Sequence, residues 1–169
     1  MQAQFKVADS IAVDDEGYCV ALLSAVDFDQ YLNDETGEVN DQIIFIWQTK
    51  TRKGLDTKLR LWTGVNISPA PRMRNGKKSF NALTQLLLAH KVITSDDLKK
   101  LAQEDEYINE LDIDLGLMVG QTHKFKLNIN ERGLARPDIS TLKIIKPISI
   151  GINNASSVES EEAEEKEEE

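Results

Sequence analysis

Residues 43–65 read IIFIWQTKTRKGLDTKLRLWTGV and hold two different patterns on either side of one basic turn. Ile43-Ile44-Phe45-Ile46-Trp47-Gln48-Thr49 is β-branched and aromatic, the composition of a buried strand. Lys58 to Val65 alternates instead, as a strand with one face in water does. Thr51-Arg52-Lys53-Gly54-Leu55-Asp56 between them is short and contains a glycine, so an antiparallel hairpin is the simplest connection. Alternation then sends Leu59 and Leu61 to one face, and Lys58, Arg60 and Trp62 to the other.

Upstream, residues 17–28 (GYCVALLSAVDF) follow the turn-like Asp14-Asp15-Glu16-Gly17 and read as a long first strand, with Phe28 in the core. Asn33-Asp34-Glu35-Thr36-Gly37-Glu38 suits a loop or hairpin turn. Downstream, Ser68 to Lys78 carries two prolines, an Asn-Gly pair and many cations, and is expected to be irregular. Ser79 is the expected N-cap of a helix through His90, its apolar stripe Phe80, Leu83, Leu86 and Leu87. Thr94-Ser95-Asp96-Asp97 caps a second short helix, and acidic loop material runs from Glu104 to Asp114. Leu117 to Gly120 leads into a strand over His123 to Asn130, with Phe125 in the core and Lys124 and Lys126 outward. A closing strand spans Ser140 to Ile145.

The expected fold is therefore mainly β with a small helical insertion. Three strands, a helical segment and two strands give the element order of an OB-like five-stranded barrel, with its helix between strands three and four. One domain over residues 1–150 precedes GINNASSVESEEAEEKEEE (151–169), which is too charged and too poor in large apolar residues to fold. The tail should be disordered.

Charge is segregated along the 169 residues. The net charge of −9 conceals a +9 block over residues 50–91, between an acidic N-terminal block and the acidic tail. An acidic total argues against a nucleic-acid partner, but the local potential governs binding. Arg52 and Lys53 in the hairpin turn, with Arg72, Arg74, Lys77 and Lys78 in the Pro-rich loop, make a funnel for a polyanion. Lys58, Arg60 and Trp62 on one strand face offer phosphates counter-charge and a base a flat surface to stack on. Trp47 extends that platform, and Lys124 and Lys126 belong to the same surface. Plainer alternatives stand beside each: tryptophans packed in or at the end of a barrel, cations that only solvate a surface or pair with the acidic block, and a tail that only aids solubility.

Other chemistry has little footing. Cys19 is the only cysteine and lies in an apolar run, as a buried thiol does. His90 and His123 are the only histidines and form no HExxH or HxH spacing; His90, late in a helix, would be favoured as a cation by the helix dipole. No Walker loop, GxGxxG or GxSxG is present, so neither a catalytic centre nor a cofactor is expected. The first ten residues lack the apolar stretch of a secretory leader, and no apolar run approaches the roughly 20 residues of a membrane helix. A cytoplasmic protein is expected, in which the sequons at Asn66 and Asn154 have no meaning.

In this organisation the chain resembles single-strand DNA-binding OB-fold proteins of the phage-encoded type. The resemblance rests on the long strand from Gly17-Tyr18, Lys58-Leu59-Arg60-Leu61-Trp62, the helix with Phe80-Asn81-Ala82-Leu83, the strand Val119-Gly120-Gln121-Thr122-His123-Lys124-Phe125, and the acidic C-terminus. It departs at the end, Glu167-Glu168-Glu169, where such tails commonly finish on an aromatic or apolar residue that docks on replication partners. The resemblance implies a protein that coats and protects exposed strands in replication, recombination or repair, without turnover. Its partners would be single-stranded nucleic acid, DNA in preference to RNA, together with replication or recombination proteins and further copies of the chain. The rival expectation is a non-catalytic protein-interaction module on a β-barrel scaffold, docking through the 50–91 segment or the tail.

Overall fold

The computed structural model describes residues 9–74, 76–103 and 113–145. The expected disordered tail and most of the acidic loop from Glu104 lie outside them.

Asp14 sets up the first strand. Its Oδ1 accepts from the backbone N–H of Glu16 (2.9 Å) and Tyr18 (2.8 Å), and Gly17 supplies φ +88°, a conformation costly for any residue with a Cβ. The amides at this turn, Tyr18's foremost, hold the Asp14 carboxyl below its ordinary pKa. The chain enters β1 (Tyr18–Leu32), returns through β2 (Val39–Lys50), and turns at Gly54 into β3 (Asp56–Thr63). A short hairpin of β4 (Arg72–Arg74) and β5 (Lys77–Ser79) follows, then α1 (Ala82–Ala89), α2 (Ser95–Gln103), a 3₁₀ turn (Leu115–Met118), β6 (Thr122–Ile129) and β7 (Ala135–Ile145).

The five long strands form one antiparallel sheet in the order β3-β2-β1-β6-β7. The expected barrel is met only to this extent. β3 and β7 are the two edges and share no hydrogen-bonded ladder, although they come close enough for Arg136 of β7 to lie over the Trp62 ring of β3. No helix among the described residues is long and apolar enough to cross a membrane.

Alternation builds the core. Cys19, Ala21 and Leu23 of β1, Ile43, Phe45 and Trp47 of β2, Leu59 of β3 and Phe125 of β6 point inward and are buried. Leu83, Leu86 and Leu87 of α1 join the same cluster, so the helix packs on the inward face of the sheet. The Cys19 thiol is within 3.4 Å of the Thr49 hydroxyl, and burial raises its pKa, which favours the unreactive protonated form.

Four sequence expectations change. Phe28 is 70% exposed, because β6 pairs only with Tyr18–Leu22. β1 shifts register between Leu23 and Ala25, and β3 pairs with β2 no further than Ile43, opposite Phe28, so from Phe28 to Leu32 β1 runs out with β2 as a two-stranded ribbon. Arg72–Arg74 and Lys77–Ser79 are not irregular but pair as a hairpin: both prolines precede it, and Gly76 has φ +80° at its turn. The cap of α1 is Asn81, whose Oδ1 accepts from Thr84 N–H at 2.9 Å, and Ser79 ends β5 instead. The last strand begins at Ala135, five residues earlier than Ser140. The capping box of α2 forms as read, with Thr94 and Asp97 exchanging side-chain-to-backbone bonds of 3.2 and 2.8 Å.

Candidate nucleic-acid interface

The outer face of β3 is fixed by its register on β2. Lys58 lies opposite Gln48, Arg60 opposite Ile46 and Trp62 opposite Ile44. Leu59 between them is only 3% exposed, so Lys58, Arg60 and Trp62 all face solvent, and the indole keeps 47% of its surface open. The guanidinium carbon of Arg136 stands 6.0 Å from the Trp62 ring centroid. A cation there is attracted to the ring's negative face and adds a phosphate-binding fork beside a stacking surface. The sequence reading missed Arg136 because it left residues 135–139 in a loop. Treating Glu131-Arg132-Gly133 as a tight turn would have started the strand at Ala135 and sent Arg136 outward.

Trp47 leaves the candidate face. It is fully buried, since from Ile43 to Thr49 the odd-numbered residues of β2 point into the core. Its ring packs edge-on against Phe125 at 5.5 Å, and its indole N–H donates to Nδ1 of His123 at 2.8 Å. Nε2 of His123 in turn lies 2.8 Å from Nε2 of His90, the residue that caps the end of α1.

A histidine that accepts at Nδ1 and meets a partner nitrogen at Nε2 is satisfied as a neutral Nε2–H tautomer donating to an unprotonated His90 Nε2. Burial, and secondarily the neighbouring His90, pushes His123 down to about 3, and burial lowers His90 as well. The helix dipole was expected to favour a cationic His90, but burial acts the other way and lowers its pKa. Among the described residues no group of three or more His, Cys, Asp or Glu side chains is placed to hold a metal ion.

The loop cations are exposed but do not form one patch. Arg52 and Lys53 sit in the β2–β3 turn, held against the start of the chain by Arg52 N–H to Ser10 O (2.8 Å) and Lys53 N–H to Asp9 Oδ1 (3.3 Å). On the β4–β5 hairpin, pairing places Arg72 opposite Ser79 and Arg74 opposite Lys77, so Arg72, Arg74 and Lys77 share one side. Lys78 shares the other with Met73. Lys124 and Lys126 lie on the outer side of β6, separated from Trp62 by β1 and β2, and their ammonium groups approach the Tyr18 ring instead.

Among the described residues no acid lies within ion-pair distance of any of these cations. Among the described residues the one ion pair is Lys50–Asp56, so no bridge links the basic segment to the acidic first block. Comparisons with family models, with curated proteins and with solved structures found no match to this chain.

Proposed function

We propose that the chain is a non-catalytic, cytoplasmic single-stranded nucleic-acid-binding protein, taking DNA in preference to RNA, that coats and protects exposed strands in replication, recombination or repair. The observation that carries this reading is the half-exposed Trp62 on a strand face with Lys58 and Arg60, with Arg136 over its ring. Stacking of one base on an aromatic ring contributes about 1–3 kcal/mol, and nearby cations gain from releasing the counter-ions of a polyanion. The fold reading behind it is an OB-like barrel. Support for it comes from the strand order β3-β2-β1-β6-β7, the helical segment between β3 and β6, and the close approach of the two edge strands.

The test is tryptophan emission during titration with unstructured oligothymidylate at low and moderate salt. Wild type should show saturable quenching that weakens with salt, and Trp62→Phe should lose it, because the remaining Trp47 is out of reach. Absence of quenching and of any mobility shift at low salt would remove the proposal; oligouridylate bound equally well would remove only the preference for DNA.

A second reading, a protein-interaction module, is favoured by the free β1–β2 ribbon, where Phe28, Leu32 and Val39 are each at least 60% exposed. Exposed apolar side chains on an uncovered ribbon are a common protein-docking surface. It predicts binding that survives moderate salt and leaves Trp62 emission unchanged.

A further inference from the structure

Tyr18 opens β1 on the outer face, where three lysines converge on its ring. Lys143 of β7 has its nitrogen 4.9 Å from the centroid, Lys124 of β6 is at 5.0 Å and Lys126 of β6 at 5.4 Å. The register explains the meeting: Tyr18 lies opposite Lys126, Val20 opposite Lys124, and Lys124 opposite Lys143. Three like charges around one ring repel each other, and none has a carboxylate within ion-pair distance among the described residues. Beside the ring is a cleft of about 680 Å³ lined in part by Val20 and Leu22 and by the ion-paired Lys50 and Asp56. Val20 is 51% and Leu22 38% exposed, an unusual apolar opening in a face so rich in cations. Asp14 also borders the cleft; its Oδ1 accepts from the amides of Glu16 and Tyr18, and its charge acts on Lys124 at a distance beyond an ion pair, offsetting part of the lysines' repulsion.

We infer that Tyr18, Lys124, Lys126 and Lys143 form a second base-stacking station for the same nucleic-acid strand that Trp62 and Arg136 engage. The inference rests on the proposed function and specifies its footprint. The ring stacks one base, the cleft accepts the base's apolar edge, and the lysines neutralise the flanking phosphates, relieving their mutual repulsion. β7 links the two stations: Arg136 serves one and Lys143 the other, and because a register shift bulges β7 between them, their partners Asn128 and Lys124 are only four residues apart on β6, about 13 Å. A strand that reaches both must cross the sheet, so affinity should depend on oligonucleotide length.

The experiment compares oligothymidylates of about four and about sixteen nucleotides, spanning the usual site sizes of such folds, on wild type, Tyr18→Ala, Tyr18→Phe, Lys143→Gln and Trp62→Phe. Tyr18→Ala should bind the long strand on the order of ten-fold more weakly, the loss expected for one stacked base. It should keep full Trp62 quenching at saturation, and Tyr18→Phe should restore affinity. Lys143→Gln should lower the slope of log affinity against log salt by about 0.7, the value for one phosphate contact on a single strand. Lys143 is exposed, so this variant decides the matter even if Tyr18→Ala fails to fold. Unchanged long-strand affinity in Tyr18→Ala together with an unchanged slope in Lys143→Gln, while Trp62→Phe loses its quenching, overturns the second station and leaves the first standing. Thymidine monophosphate bound as tightly as the long strand also overturns it, in favour of a mononucleotide pocket. Wild type that binds neither strand removes both readings together.

Discussion

The indole N–H of Trp47 donates to Nδ1 of His123 across 2.8 Å, and that bond determines which protons the interior can hold. With Nδ1 accepting, the second ring nitrogen of His123 donates to His90 2.8 Å away. A proton added to His123 breaks the bond to Trp47, and one added to His90 sets two N–H groups against each other.

Stability should therefore fall in mild acid. In the unfolded chain a histidine titrates near 6.5, whereas folding pushes His123 down to about 3 and lowers His90 too. Below pH 6.5 the unfolded state takes up protons that the folded state refuses, so stability is complete above about 6.5 and lost progressively as pH falls toward the folded values. His123 alone costs about 1.4 kcal/mol per pH unit over that window, roughly 2–3 kcal/mol by pH 4.5. Urea midpoints between pH 7.5 and 4.5 check this. His123→Gln, which can still accept from Trp47, should show the shallower fall, and parallel curves would refute the relay.

The two tryptophans should differ sharply in what they do for stability. Trp47→Phe leaves a gap beside Phe125 and an unpartnered buried acceptor on His123, at a cost of roughly 2–4 kcal/mol. Trp62→Phe on the outer face should stay within about 0.5 kcal/mol of wild type. Chemical denaturation of both variants at pH 7 measures the contrast, and equal losses would mean that Trp62 is also structural.

The cap of α1 gives a separate test. Asn81 accepts from Thr84 N–H and donates through Nδ2 to Asn66 O at 2.9 Å, tying the helix start to the loop after β3. Asn81→Ala should cost about 1 kcal/mol or somewhat more. Ser79→Ala should cost little, because Ser79 ends a strand and does not cap the helix. Thermal melts of the two variants should separate by a few degrees.

Much of the fold was legible because strong alternation fixes both strand existence and face. Leu59, Arg60, Leu61 and Trp62 carry that signal and lie where it places them, although Leu61 is only half-buried. Trp47 was misread because its run is apolar on both faces, and such a pattern does not say which residues point inward. Phe28 illustrates another limit: whether a strand end is covered depends on how far its neighbour extends, and β6 stops pairing at Leu22. Alternation on β6 marked Lys124 and Lys126 as outward, but nothing local marked Tyr18 or Lys143 as their neighbours. These residues are far apart in the chain, and only the antiparallel register of β1, β6 and β7 brings them together. Arg136 meets Trp62 for a similar reason, across two edge strands that share no hydrogen bonds.

The β4–β5 hairpin should act on binding through charge alone. Its four cations are exposed; Arg74 Nε donates to Ser79 O at 3.3 Å within the hairpin, and among the described residues no side-chain bond ties them to the five-stranded sheet. Replacing Arg72, Arg74, Lys77 and Lys78 with glutamine removes up to four phosphate contacts, each contributing about 0.7 to the salt slope on a single strand. Pairing puts Lys78 on the opposite side from the other three, so a strand lying along one side of the hairpin meets three of them. The fourfold variant should therefore lower the slope by about 2 rather than nearly 3, while Trp62 quenching at saturation stays at the wild-type level. Lys78→Gln alone should leave the slope unchanged. The measurement is oligothymidylate affinity over a series of salt concentrations. A drop near 3, with Lys78→Gln contributing its share, would mean that the strand wraps the hairpin rather than passing along one side. An unchanged slope in the fourfold variant would take the hairpin out of the interface and leave binding to the sheet face.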